Sequence, residues 1–83
     1  MKHDSHPAIV ARLKRADGHL RSLIAMIEAG RPCLELAQQL HAVERAVGNA
    51  KRELIHDHIE HCLDDGDGRH SSLKEIKQLA KYL

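Results

Sequence analysis

The chain has 83 residues, 42% hydrophobic and 1% aromatic, and its 13 Lys and Arg against 12 Asp and Glu leave a formal net charge of +1. That length allows one small domain near the limit at which a single core sustains itself, and with no Trp or Phe the core must be built from Leu, Ile, Val and Ala. No apolar run is long enough to span a bilayer and no signal-peptide pattern is present, so the expectation is a cytoplasmic protein with reduced thiols that gains stability by oligomerising.

Residues 1–6 are polar and read as a short flexible tail. Ser5 ahead of His6-Pro7 has the form of a helix start, a capping hydroxyl with Pro in the first turn. Ile9, Leu13, Ala16, Leu20, Leu23 and Ile27 then recur at alternating four- and three-residue steps. This is the seam of an amphipathic helix, predicted over 7–29 and stopped by Gly30.

Pro32 suits the first turn of a second helix, in which Leu36, Leu40, Val43, Val47, Ala50 and Leu54 keep the same spacing on to His58 and Cys62. Residues 32–63 are therefore predicted as one helix, about 48 Å long. No globule of this size buries such a rod alone, which implies a partner chain. "DDGDGRH" reads as a loop. In "SSLKEI", Ser72 and Glu75 fit a capping box opening a third helix over 71–82. The fold class is all-α: one domain over 1–83, three helices, the central one long.

Charge is unevenly placed. Residues 1–31 hold six Lys or Arg against three acids, whereas 53–67 hold six acids and no Lys or Arg. Arg12, Arg15 and His19 form a ridge off the apolar seam, flanked by Lys14 and Arg21, with Lys51 and Arg52 on the second helix. Such a ridge is either a solvated helix face or a surface that meets a polyanion through phosphate contacts.

The acidic stretch contains "HDHIEHC", and eight histidines in so short a chain are an excess. His58 and Cys62, four residues apart, project from one helix face and can grip one ion; the plain alternative is a packed imidazole and a small apolar thiol. Cys33 lies 25 residues before His58, which returns it to nearly the same face but about 37 Å away. One helix cannot close that site. Two helices packed antiparallel would, with Cys33 of one chain beside His58 and Cys62 of the other. They would cross near Ala46 to Gly48, where Ala46, Gly48 and Ala50 permit close approach. His61 and His56 point off this stripe, and His19 and His41 read as surface or interface histidines.

A long second helix with Cys at its start and H-x-x-x-C near its end, after the basic "RLKRADGHLR", resembles the CsoR/RcnR family of metal-responsive repressors. "SHPAIVARLKRADGHLRSLIAMIE" and "AQQLHAVERAV…LIHDHIEHCL" are most similar to members tied to nickel and cobalt resistance. The resemblance implies antiparallel dimers pairing into homotetramers. It also implies release of double-stranded operator DNA on binding Ni(II) or Co(II), with Cu(I) as the alternative effector.

It places Cys33, His58 and Cys62 as ligands, with His3 and His6 of the tail as added nitrogen donors. Glu75 and His61 fall in the outer shell, Glu75 competing with its capping role. Arg12 and Arg15 become operator contacts, extended by Lys14, Lys51 and Arg52. Pro32 stands where copper sensors often have Tyr, which weakens the copper reading. Three rivals stay open: a Cys2His zinc enzyme, a metal-independent thiol or persulfide sensor, and a formaldehyde sensor. The zinc enzyme lacks a pocket-forming loop or a general base, and no small organic substrate is expected.

Overall fold

The computed structural model describes residues 5–64 and 70–83, with side chains over 5–61 and 73–83. His3, the rest of residues 1–4 and most of the expected acidic loop lie outside the described residues. The described chain is all-α: α1 is His6–Glu28, α2 Cys33–Asp64 and α3 His70–Ala80. Among the described residues no helix is long and apolar enough to cross a membrane.

The helix ends refine the expected boundaries. Ser5 precedes α1, and its carbonyl accepts the Ile9 N–H at 3.0 Å. Its backbone is already helical and its hydroxyl makes no capping bond, so the capping expected of Ser5 is not realised; Pro7, which needs no N–H partner there, supplies the start.

At the other end Gly30 takes φ +75°. The Gly30 N–H then bonds the Ile27 carbonyl and the Arg31 N–H the Met26 carbonyl, a Schellman closure that a residue with a Cβ adopts at a cost. Pro32 stands just outside α2, its carbonyl taking the Leu36 N–H at 3.1 Å. Arg31 forks onto Glu35 at 2.9 and 3.0 Å. The hydrogen bond first, then the charge, of Glu35 raises the Arg31 pKa above its ordinary value. This pair ties the turn to the first helical turn on either side of Cys33.

Ser72 lies inside the first turn of α3 and not at its cap, and Glu75 is turned to His58, so the capping box is not formed. Past Ala80 the chain tightens into i→i+3 bonds through Leu83.

α1 and α2 form an antiparallel hairpin, bridged by the exposed Arg12–Glu53 ion pair and by His19 Nε2 to Gln39 Oε1 at 2.5 Å; α3 packs back on α2. The chain measures 55 × 23 × 13 Å. A slab 13 Å thick is about one helix deep. Its interior is mainly the line where α1 and α2 touch, with Ile55 of α2 buried off that line.

That geometry divides the apolar seam. Ile9, Ala16 and Leu23 of α1 meet Val43 and Ala50 of α2, all buried. Leu13, Leu20 and Ile27, with Leu40, Val47 and Leu54, stay 40–51% exposed. On each helix the exposed set lies about 40–60° round from the buried set. Because the helices run in opposite directions, the two rotations turn toward the same side. Six aliphatic side chains thus form a strip along one face of the hairpin.

Ala50, 2% exposed, is occupied by contact with its own α1, and Ala46 faces α1 as well. The expected use of both at a crossing with a second chain is therefore corrected. The side chains free to meet another copy are Leu40, Val47 and Leu54.

Candidate metal and nucleic-acid sites

The exposed strip ends at the donors. By the same 100° steps, Cys33 and His58 sit about 80° round from the buried line of α2, on the strip's side, with position 62 near them. Cys33, in the first turn of α2, is an exposed free thiol. His58 is about seven turns farther along. The Cys62 side chain lies outside the described ones. Among the described residues of one chain, no three His, Cys, Asp or Glu side chains converge as a cation site.

His58 is part-buried, and its Nε2 stands 2.8 Å from Glu75 Oε1. An imidazole whose Nε2–H is held by a carboxylate has a fixed ring and leaves Nδ1 as the nitrogen open to a metal. Glu75 is thus turned to the His58 ring rather than to the start of α3. His61 Nδ1 donates to the Asp57 carbonyl at 2.9 Å and lies 3.5 Å from Asp57 Oδ1. That orients its ring away from the Cys33/His58 line. Asp57 is a partner the sequence reading missed; its only signal is the four-residue step to His61. His6, the first residue of α1, is part-buried. With Arg12 set against Glu53, the start of α1 lies beside the last turns of α2, so His6 is at the same end of the hairpin as His58.

Arg12 and Arg15 lie on the opposite face, whereas Lys51, by the same steps, lies on the strip's side. Arg12, Arg15, Ala16, His19, Ala46 and Asn49 line a groove of about 410 Å³ between α1 and α2. Ala16 lies on the buried line itself, and the others are rotated about 40–110° from it, away from the apolar strip. Arg52 Nη2 donates to Asn49 Oδ1 at 2.5 Å, which draws Arg52 toward the groove's rim. Arg21 pairs with Asp17 at 3.2 Å, outside it. Lys14 and Lys51 are exposed and do not line the groove. Sequence reasoning missed Asn49 and Glu53, since no local pattern sets either beside the basic ridge of α1.

An all-α hairpin with an arginine groove on one face, and Cys and oriented His donors at the two ends of the other, has the parts of a metal-responsive DNA regulator. Residues 5–83 match the family described as metal-sensitive transcriptional repressors, and the chain belongs to that family. It is 34% identical to the copper-sensing transcriptional repressor CsoR of Mycobacterium ulcerans (strain Agy99) over 95% of this chain and 70% of that one. It is 37% identical to the copper-sensing transcriptional repressor CsoR of Bacillus subtilis (strain 168), over 89% and 77%. Among solved structures it resembles the nickel-responsive transcriptional regulator InrS, with TM-score 0.85 and 30% identity, over 100% of this chain and 98% of that one. These are repressors and regulators rather than enzymes, which sets the zinc-enzyme reading aside.

Proposed function

We propose that the metal-free protein holds operator DNA through the Arg12/Arg15 groove and releases it when Ni(II) or Co(II) binds between two protomers. The observation that carries this is the position of the donors. Cys33 and His58 lie at opposite ends of a 32-residue helix, both bordering the uncovered apolar strip. A second copy laid antiparallel on that strip covers Leu20 and Val47. It also brings its Cys33 to the His58/Cys62 end, giving two equivalent sites about a twofold axis. Dimers of this kind pair into the tetramer.

His6, at the same end, supports a fourth and nitrogenous donor, which suits Ni(II) or Co(II); His3 is the other candidate. The His58–Glu75 link supports a metal over a purely thiol-based sensor, because a disulfide gains nothing from an oriented imidazole. An ion that prefers one packing of the two copies shifts the assembly by its differential affinity, and the groove is carried with α1. Arg52, drawn to the rim by Asn49, adds charge to the groove, and Lys14 and Lys51 are candidate DNA contacts outside it.

A second reading is favoured by the copper-sensing relatives: Cys33, His58 and Cys62 alone make a soft three-donor site fit for Cu(I). Titration with each ion, followed by operator binding, separates the two. Ni(II) should give thiolate charge-transfer absorption that Cys33→Ala abolishes, and Ni(II) should weaken operator binding. With His3 and His6 both replaced by Ala, nickel-driven release should be lost; release by Cu(I) alone, unaffected by that double variant, would overturn the nickel reading.

A further inference from the structure

The groove contains two guanidiniums, an imidazole and an amide above a floor of Ala16 and Ala46, and no acid lines it. The carboxylate at its rim is Glu53, which holds Arg12. We propose that Glu53 is an internal stand-in for a phosphate group. It holds Arg12 through Nη1 in the free protein and must be displaced before the groove seats a phosphate. This rests on the reading of Arg12 and Arg15 as the DNA-facing residues and adds a residue that opposes them.

Three observations support it. First, carboxylate and phosphate oxygens satisfy a guanidinium in the same planar, charge-assisted way, so one can replace the other. Second, the pair is open to water, with the Arg12 side chain 47% and the Glu53 side chain 35% exposed. An exposed ion pair adds little to stability and exchanges readily, so it serves poorly as a staple of the hairpin and well as a removable occupant. Third, Arg15, across the same groove, has no carboxylate partner among the described residues, while Arg52 is engaged only by the neutral Asn49 amide. The groove therefore has one guanidinium ready for an oxyanion and one already taken. An isolated phosphate meets a competitor, whereas a ligand that also engages Arg15 and His19 can displace it. Such a device lowers affinity for stray anions more than for a docked duplex.

The test is a double-mutant cycle on operator affinity in the metal-free protein at fixed salt. Glu53→Gln should tighten binding about two- to fivefold, the range of an exposed ion pair. The gain should vanish in an Arg12→Ala background. Glu28→Gln, which removes the same charge at the far end of α1, should leave affinity unchanged. A Glu53→Gln variant with wild-type affinity, or a gain that survives Arg12→Ala, overturns the proposal. Operator binding indifferent to Arg15→Ala would instead overturn the DNA reading of the groove. Sodium phosphate and sodium chloride at matched ionic strength distinguish the ligand's source. Stronger competition by phosphate assigns the seat to free phosphate as well; equal competition assigns it to the phosphodiester of DNA.

Discussion

His58 and Glu75 illustrate what a single contact decides. Both were visible in the sequence, but Glu75 fitted two patterns: three residues after Ser72 it completes a capping box, and on the last helix it can reach the imidazole. Only the return of α3 along α2 selects the second, at 2.8 Å. Glu75→Gln should therefore lower affinity for the effector ion about 10- to 100-fold, since the ring loses its orienting carboxylate. Competition against a chelator measures this, and unchanged affinity would reduce the contact to a surface pair. Glu53 and Asn49 had no legible role because their partners are 41 and 3 residues away on surfaces defined by another helix or turn. Cys33, His58 and Cys62 were legible because residue type and a shared helical stripe mark them without reference to neighbours.

Among the elements, α2 was the easiest to read, since unbroken apolar spacing between Pro32 and the acidic run admits one long helix and little else. What the spacing could not say was which half of the seam each helix spends within its own chain. A two-helix hairpin one layer deep can bury only the line of contact, so Leu23 is 0% exposed while Leu20, three residues earlier, is 40% exposed. Leu23→Ala should cost about 2–5 kcal/mol by denaturant unfolding, because it opens a cavity at the helix contact. Gly30→Ala should cost about 1–2 kcal/mol in the same assay, since the Schellman turn holds that residue at φ +75°. A loss near zero would mean the turn relaxes to another closure.

For the whole molecule, the two faces of the hairpin divide the labour. The apolar strip with Cys33 and His58 at its ends lies on one side and the arginine groove on the other, so the proposed assembly and DNA contacts would not compete for the same surface. Leu20→Glu combined with Val47→Glu should yield a folded monomer by sedimentation, because like charges in the middle of the strip oppose a second copy. The same variant should lose the thiolate–metal absorption, since one chain by itself separates Cys33 from His58 by the length of α2. An assembled, metal-binding double variant would rule the strip out as the interface.

The sequence by itself determined the helices, the length of α2 and the residue types able to bind an ion, because these depend on local periodicity and side-chain chemistry. The tertiary structure decided which apolar residues were left bare, that Ala50 serves the hairpin, that Glu75 supports His58 and that Glu53 holds Arg12. Each of those depends on the rotation of one helix against another, a quantity that no residue encodes locally and that is set only when the buried line between α1 and α2 forms.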